Sequence, residues 1–505
     1  MLQVEGAVAE AFDVVVIGGG NAALCAALAA SEVGARALVL ERAPEAESGG
    51  NSRYTSGSMR FAFDTIDDLK NVMRDVSREE LEKHDFGSYT ADEFFDDMFR
   101  VTAYRTNPEL CERLVRNSYP TIKWLADKGI RFFPRFTHAF KVGDRLKFSG
   151  SSVCEAWGGG AGLIEREAQI AVDSGVAIRY DARAIELLEH DGAVTGVRVR
   201  SAGIVTDVSA GAVVLACGGF EANAEWRARY LGPGWDLVKV RGTRFNTGDG
   251  LRMALEMGAM PYGHWSGCHA VSGDANAPDP GDVTIGDVFQ RHSYPLGLMI
   301  NADGRRFVDE GADIRHYTYA KYGRALMTQP NQFAWQVFDA KVVPLLRDEY
   351  RLRRATKVTA QTIEELAAKL EGVNAEGFLA EIKRYNAAVK ADVPFNPAVK
   401  DGRGTEGLDL PKSNWANTLD QSPFEAYQIS CGITFTFGGI RIDPQTAQVV
   451  DVAVAPIPGL YAAGEIVGGI FYFNYPGGTG LTSGSVFGRI AGAAAARAAL
   501  GRAAP

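Results

Sequence analysis

A glycine-rich turn near the start of the sequence most strongly limits the fold that this chain can adopt. The turn, G-x-G-x-x-A from Gly18, lies between a β-branched run at residues 14–17 and a run of small, helix-favouring residues. Such a turn lets the backbone approach a pyrophosphate at the N-terminus of a helix. Residues 37–40 are predicted to form a second strand, followed by Glu41, 23 residues past Gly18, where an acid that binds a ribose is expected. The sequence therefore predicts an adenine-dinucleotide site in an α/β domain.

Composition excludes several classes of protein. The 505 residues carry a net charge of −9, which argues against a nucleic-acid partner. The six cysteines are isolated, without a C-x-x-C pair, so we expect no zinc ribbon, no cysteine-ligated cluster and a reducing compartment. No apolar run reaches the ~18 residues of a membrane span, and the acidic N-terminus leaves no room for a signal peptide. We therefore expect a cytoplasmic protein without a metal site.

The distribution of glycine along the chain predicts the domain organisation. Glycine-rich motifs and strand patterns occur at both ends, whereas the middle of the chain is helical, charged and histidine-bearing. We predict one cofactor domain from residues 1–262 and 434–505, with a helical insert at about 62–150 and a capping domain at 263–433. Residues 131–148 mix five phenylalanines with five basic residues, as either a surface loop or a substrate entrance.

Nine motifs along almost the whole chain carry a family resemblance. They are Gly18-Gly-Gly-Asn-Ala-Ala, Glu41, Gly49-Gly-Asn-Ser, Ala216-Cys-Gly-Gly-Phe, Thr247-Gly-Asp-Gly, Gly304-Arg-Arg-Phe-Val-Asp-Glu, Gly438-Gly-Ile-Arg-Ile-Asp, Gly459-Leu-Tyr-Ala-Ala-Gly-Glu and Val486-Phe-Gly-Arg-Ile-Ala-Gly. In this order they resemble the fumarate reductase/succinate dehydrogenase superfamily of flavoproteins. The segments at Trp265, Arg315 and Phe471 look most like tricarballylate dehydrogenase-type proteins. The resemblance implies an α/β fold: a Rossmann-like FAD-binding domain formed by both chain ends, with an inserted α+β capping domain.

The resemblance also implies FAD as the cofactor. It places Glu41 on the adenosine ribose, Glu465 at the ribityl chain and Ser485 beside the flavin ring. Residues 49–59 contain no histidine that could tether the flavin, so we expect FAD to be non-covalent. The predicted cofactor-binding residues are Gly18, Gly20, Asn21, Ala22, Glu41, Arg42, Gly50, Asn51, Ser52, Gly218, Asp249, Glu465, Gly480 and Ser485.

Arg315 is the predicted proton-transfer residue. In the superfamily a hydride moves between flavin N5 and a C–C bond activated by a carboxylate or carbonyl, and a protein group transfers the proton. Arg315 follows Glu310 by five residues, one more than the catalytic arginine of fumarate reductases. A protonated arginine can act as an acid. A base role requires a relay through His316, Arg291 or His292; alternatively, Arg315 only clamps a carboxylate.

Two positions depart from the fumarate reductase pattern. Phe435 and Tyr475 replace a histidine and an arginine that bind substrate there, so a true fumarate reductase is not expected. His269 resembles a substrate-binding histidine, with a structural role as the alternative. Tyr475 and the N–H groups of Gly477 and Gly478 could polarise a carbonyl, as in the similar ketosteroid dehydrogenases, or Tyr475 could simply pack over the flavin.

The leading functional hypothesis is an FAD-dependent dehydrogenase of a polycarboxylate such as tricarballylate, which would yield cis-aconitate. Because the chain has no cluster ligands, electrons would leave through a separate iron–sulfur or haem protein, which could hold the chain at the inner membrane. A second hypothesis is a dehydrogenase or reductase of a ketone or enone. A third is a flavin electron-transfer protein without its own substrate.

Overall fold

The computed structural model describes residues 10–148 and 152–502. Within these residues, the α-helices are α1 (Asn21–Glu32), α2 (Ile66–Val72), α3 (Arg78–Glu82), α4 (Ala91–Val101), α5 (Pro108–Asp127), α6 (Gly159–Asp173), α7 (Ala224–Trp226), α8 (Asp249–Glu256), α9 (Tyr319–Met327), α10 (Ile363–Lys369), α11 (Ala375–Ala388) and α12 (Thr479–Arg502). None of these helices combines the length and the apolar composition that a membrane crossing requires.

The strands complete the description of the same residues. They are β1 (Ala11–Ile17), β2 (Ala37–Leu40), β3 (Ser58–Met59), β4 (Phe132–Pro134), β5 (Ala139–Val142), β6 (Arg145–Phe148), β7 (Cys154–Ala156), β8 (Ala177–Arg179), β9 (Arg183–His190), β10 (Ala193–Ser201), β11 (Ile204–Leu215), β12 (Lys239–Val240), β13 (Pro261–Asp274), β14 (Leu298–Asn301), β15 (Phe333–Phe338), β16 (Lys357–Ala360), β17 (Phe424–Ile440), β18 (Gln448–Val450) and β19 (Pro456–Ala462).

The main sheet is built from both ends of the chain. Its order is β18-β19-β11-β1-β2-β8, and β19, β11, β1, β2 and β8 are parallel. Its central strands are apolar and buried on both faces, as parallel sheets covered by helices are. The antiparallel strands β9 and β10 extend it beside β11. The predicted α/β, Rossmann-like fold class is confirmed.

The helices α1 and α12 come from opposite ends of the chain, and they pack so closely that two positions of α12 require glycine. A Cβ atom on Gly488 would lie 2.4 Å from the Ala22 carbonyl oxygen, and one on Gly492 would lie 1.9 Å from that of Ala26. Neither distance is compatible with a side chain, so the glycines allow the close approach. The contact holds the C-terminal helix directly against the helix that follows the Gly18 turn.

A second sheet lies in the middle of the chain, and it is continuous with the proposed cofactor domain. Its order is β12-β17-β15-β14, with β13 and β16 also paired to β17. The proposed domain limits at 262/263 and 433/434 fall inside β13 and β17, which pair antiparallel. Two neighbouring strands therefore connect the proposed cofactor and capping domains. The predicted helical insert contains α2 to α5 but ends in the strands β4 to β6.

The contact between α1 and α12 predicts the effect of one methyl group. Gly492→Ala should lower the free energy of unfolding by about 1–3 kcal/mol, because overpacking forces the two helices apart. Gly501→Ala is the matched control, since a Cβ atom there meets nothing within 4 Å. Urea unfolding of both variants measures the difference. Equal stabilities would show that the helices have room to move.

Candidate active site

A cavity of about 1920 Å³, including its open mouth, lies at the carboxyl end of the main sheet. Its wall contains the residues that directly follow the parallel strands: Gly18 after β1, Glu41 after β2 and Ala216 after β11. Gly464 and Glu465 lie in the loop that follows β19 and also line the cavity. Ligands of open α/β sheets bind at this edge, because the loops and helix N-termini that follow the strands converge there.

One end of the cavity fits a pyrophosphate. Gly18 has a φ of 111°, and a Cβ atom there would lie 2.4 Å from the Ala216 carbonyl oxygen, so the tight turn requires glycine. The N-cap of α1, Gly20, makes no side-chain capping bond. The Asn21 N–H donates to Ser52 Oγ at 3.3 Å. The first turn of α1 therefore presents donors and a positive dipole end to an anion in the cavity.

Glu41 and Asp249 lie at the same end but differ in their partners. Glu41 is buried and its Oε1 accepts the Ala43 N–H at 2.7 Å; burial raises the pKa of its carboxyl group. This position suits the predicted ribose contact. The Asp249 carboxylate is bound by Arg42 at 2.9 Å and by Arg183 at 2.8 Å. Asp249 lines the cavity, but it principally anchors these two arginines.

Glu465 lines the cavity wall, and a second glutamate, the fully buried Glu221, lies next to it. Glu465 Oε1 accepts the Thr436 N–H at 2.7 Å, and Glu221 Oε1 accepts Asn51 Nδ2 and Asn246 Nδ2, each at 2.6 Å. Burial, reinforced by the charge of Glu465, raises the pKa of Glu221 well above its usual range. Both effects favour the protonated form of Glu221 beside Glu465. The sequence analysis missed Glu221, because nothing in its own motif indicates the partner that raises its pKa.

The opposite end of the cavity holds Arg315 between two histidines. Arg315 Nη1 lies 3.2 Å from His292 Nδ1, and Nη2 lies 3.3 Å from His316 Nε2. Removal from water lowers the pKa of Arg315 to about 10. Burial lowers the pKa of both histidines well below their usual range, so they are neutral near pH 7.

Arg291, the third relay residue proposed from sequence, lies elsewhere. It forms a fully buried ion pair with Asp274, with Nη2 2.8 Å from Oδ2. Its Nη1 also donates to the Glu349 carbonyl oxygen at 3.0 Å. Arg291 does not line the cavity, so it is corrected from a relay candidate to a structural residue of the core.

His269 and Tyr475 face this end of the cavity from an aromatic cluster. The His269 ring centroid lies 4.9–5.1 Å from those of Tyr319, Phe435 and Tyr475. Among the described residues, neither nitrogen of the buried His269 ring has a hydrogen-bond partner, and burial lowers its pKa well below the usual range. Both nitrogens are therefore available to a ligand. Burial raises the pKa of Tyr475, so its hydroxyl, which hydrogen bonds to that of Tyr319, stays neutral.

One predicted donor to a carbonyl is not available. The Gly477 N–H donates to the His316 carbonyl oxygen at 3.0 Å, so it cannot also polarise a substrate carbonyl. This bond instead holds the loop before α12 against the segment that carries Arg315. The hypothesis that Tyr475 acts together with both glycine N–H groups is corrected accordingly.

Two further arginines line the end of the cavity that holds Arg315, and they were not identified from sequence. Arg241 binds Asp287, with Nε 2.6 Å from Oδ1, and donates to Thr434 Oγ1 at 2.8 Å. Arg135 lies in the 131–148 segment, with its Nε 3.3 Å from Glu155 Oε2. The mixture of aromatic and basic residues in that segment was the available signal, but nothing in it distinguished Arg135 from its exposed neighbours.

Nearly all the site residues predicted from sequence line this cavity. The exception is Ser485, which lies behind the wall and whose hydroxyl donates to Asn21 Oδ1 at 3.0 Å and to the Leu481 carbonyl oxygen at 3.1 Å. Across residues 10–148 and 152–502, no group of three or more potential metal ligands is found. The lining residues predicted from sequence are Gly18, Gly20, Asn21, Ala22, Glu41, Arg42, Gly50, Asn51, Ser52, Gly218, Asp249, His269, Arg315, His316, Glu465, Tyr475 and Gly480.

Comparisons with known proteins agree with this geometry. The model of the FAD binding domain family matches residues 13–481. The chain is 30% identical to the NADH:fumarate oxidoreductase of Klebsiella pneumoniae (strain 342), over 97% of the chain but 48% of that protein. It is also 30% identical to the probable fumarate reductase Ifc3 of Shewanella frigidimarina (strain NCIMB 400), over 97% of the chain and 76% of that protein.

The structural comparison gives the same family. An open-conformation flavocytochrome c3 fumarate reductase superposes with a TM-score of 0.71 and 27% identity, over 97% of this chain and 79% of that one. The uncapped helix N-terminus, the buried Glu41 and the glycine turn fit FAD at one end of the cavity. The chain belongs to the FAD binding domain family, as an FAD-dependent oxidoreductase of the fumarate reductase/succinate dehydrogenase superfamily.

Proposed function

We propose that this protein transfers a hydride between FAD and a C–C bond of a polycarboxylate, with tricarballylate, oxidised to cis-aconitate, as the leading substrate. The observation that carries the proposal is the group of Arg135, Arg241 and Arg315 at one end of the cavity. Guanidinium groups bind carboxylates through paired, charge-assisted hydrogen bonds. Relatives named for fumarate, a dicarboxylate, support a substrate of this class.

Arg315 is the proposed proton-transfer residue. When bound, FAD supplies the acceptor or donor of the hydride. Arg315 lies between the neutral His292 and His316, which can each accept a proton. In oxidation, Arg315 first passes its own proton through a histidine to water and then accepts the proton from the substrate carbon; in reduction, protonated Arg315 donates. Arg315 regains its charge when the proton arrives, while Arg135 and Arg241 at the same end of the cavity can hold carboxylates throughout.

The surrounding residues keep water away from the reacting carbon. One face of the proposed substrate end, the end of the cavity that holds Arg315, is formed by the rings of Phe435, Phe471 and Tyr475. Their ring centroids lie 5.1–5.9 Å apart. An apolar face beside the arginines strengthens their attraction for carboxylates, because the local dielectric constant is low. His269, whose nitrogens have no partner among the described residues, can donate to a substrate oxygen.

The remaining proposals concern the cofactor and its partner. We propose non-covalent FAD, since residues 49–59 contain no histidine. Electrons would pass to a separate iron–sulfur or haem protein, with the chain cytoplasmic or held at the inner membrane by that protein. The domain limits at 262/263 and 433/434 remain proposals of the same kind.

A second candidate function has one specific observation in its favour. The hydroxyl groups of Tyr319 and Tyr475 are hydrogen bonded to each other at the cavity wall. Such a pair could donate to a substrate carbonyl, which favours a dehydrogenase or reductase of a ketone or enone. Three arginines at the same end favour carboxylates, so this function ranks second.

Anaerobic mixing of the oxidised protein with tricarballylate tests the proposed substrate. We expect the visible absorbance of the flavin to bleach, with one cis-aconitate formed per FAD reduced, because hydride transfer reduces the flavin. A cyclic ketone serves as the comparison. Flavin that stays oxidised with tricarballylate but bleaches with the ketone would replace the first function by the second.

Replacement of Arg315 tests its role in proton transfer. Arg315→Gln should lower turnover about 10²–10⁴-fold while FAD content is retained, since general acid–base groups contribute factors of this size. Arg305→Gln is the control, because Arg305 lies in the same segment with its side chain half exposed, outside the cavity. If Arg315→Gln changed KM alone, Arg315 would be a carboxylate clamp.

The pKa of Arg315, about 10, predicts opposite pH profiles for the two directions. In reduction the protonated form donates, so the rate should fall as the pH rises through about 10. In oxidation the acceptor form grows with pH, so the rate should rise and level off above that value. Steady-state rates between about pH 6 and pH 11 measure this, because the range extends below the ordinary pKa of histidine and above the pKa of Arg315. An inflection near 6.5, the ordinary pKa of histidine, would instead assign the titration to a histidine.

A further inference from the structure

We infer that Arg135, Ser56 and Ser58 form a separate anion subsite that binds a second carboxylate of the substrate. The inference rests on the proposed function, because it assumes a substrate with more than one carboxylate. All three residues line the cavity together with Arg315. The sequence indicated only that residues 131–148 could be a substrate entrance, and it singled out none of these three residues.

The predicted helical insert supplies the arginine of this subsite. Arg135 directly follows β4, which pairs with β7, and β7 pairs with β3, which begins at Ser58. This small sheet places the Arg135 side chain under the loop that carries Ser56. The side chain is 7% exposed, so its position is set by packing and not by solvent.

The hydrogen bonds of Arg135 leave the subsite able to bind an anion. Its Nη2 donates to Ser56 Oγ at 2.8 Å, and its Nη1 donates to Ser58 Oγ at 3.0 Å. The Ser58 hydroxyl is also hydrogen bonded to that of Ser152, so Ser58 holds the guanidinium in place. Because Ser56 Oγ accepts from the guanidinium, the Ser56 hydroxyl proton remains for another acceptor. An anion in the cavity can therefore combine the charge of Arg135 with an O–H donor that this charge polarises.

The positive charge of Arg135 is weakly neutralised in comparison with other arginines of the chain. Its carboxylate contact is one Nε–Oε2 distance of 3.3 Å to Glu155, and burial raises the pKa of that carboxyl group. The buried Arg291 binds Asp274 through two nitrogens, at 2.8 Å and 3.1 Å. Arg291 is thus satisfied within the protein, whereas Arg135 retains charge for a ligand.

Arg135 and Arg315 also repel one another across the cavity. Burial first, and then the charge of Arg315, lower the pKa of Arg135 to about 9. Two like charges in a low-dielectric site raise the energy of the empty cavity, and an anion between them removes part of that cost. A carboxylate for each arginine satisfies both, which favours substrates with at least two.

A series of ligands that differ in the number of carboxylates tests the subsite. Tricarballylate, glutarate and butyrate carry three, two and one carboxylates on similar chains. Calorimetry is done with the reduced holoenzyme, which cannot accept a hydride from these saturated acids. In the unaltered protein each added carboxylate should increase the affinity, once from butyrate to glutarate and again from glutarate to tricarballylate. In Arg135→Gln, one of these two gains in affinity should be about 10- to 100-fold smaller, as expected for a lost charge-assisted hydrogen bond.

Two variants and one control make the result decisive. Arg135→Lys keeps the charge and should restore part of the lost gain in affinity. Arg131→Gln, at a side chain 56% exposed in the same segment, should leave all three affinities unchanged. If Arg135→Gln does not retain FAD, the same three affinities are measured with Arg135→Lys and Ser56→Ala. Equal weakening of all three ligands, or no weakening, would overturn the subsite. If Arg135→Gln loses one gain in affinity but the unaltered protein does not oxidise tricarballylate, the subsite stands and only the proposed function is overturned.

Discussion

The close approach of α1 to α12 is the contact on which the rest of the site depends. The Gly488 and Gly492 positions allow the C-terminal helix to lie against the carbonyl groups of Ala22 and Ala26. Together with the pairing of β19 beside β11, this contact brings the end of the chain to the Gly18 turn. A cavity that needs Gly18 at one end and Tyr475 at the other can form only when both ends of the chain meet.

Burial favours the neutral forms of one glutamate and three histidines around this cavity, and this influences its chemistry. It raises the pKa of Glu221 and lowers the pKa values of His269, His292 and His316. Arg135 and Arg315 then provide positive charge, whereas the charge of Arg241 is paired with that of Asp287. The neutral histidines beside Arg315 can pass a proton between it and water. The site is therefore suited to attract an anion and to move one proton.

Local patterns allowed the cofactor end of the site to be predicted. The Gly18 turn, Glu41 and Asn51 lie in short motifs whose chemistry depends on neighbours in sequence, so their places in the cavity wall could be anticipated. Ser485 was assigned to the wrong side of the wall, because a motif does not show which face of α12 points to the cavity. The roles of Arg135 and Arg291 could not be predicted for a related reason. Both are arginines near aromatic residues, and only their distant partners distinguish them.

By itself, the sequence determined the α/β class, an adenine-dinucleotide site and the contribution of both chain ends, because these follow from periodicity and from glycines whose conformation has a local cause. The resemblance to flavoproteins, and not these patterns, implied that the dinucleotide is FAD. The tertiary structure alone decided which charges meet. It placed His292 and His316 on Arg315 but Asp274 on Arg291, although Arg291 and His292 are adjacent in sequence. Adjacent side chains that point in different directions from an extended segment enter different environments. Charge and proton affinity therefore depend on partners that sequence order does not reveal.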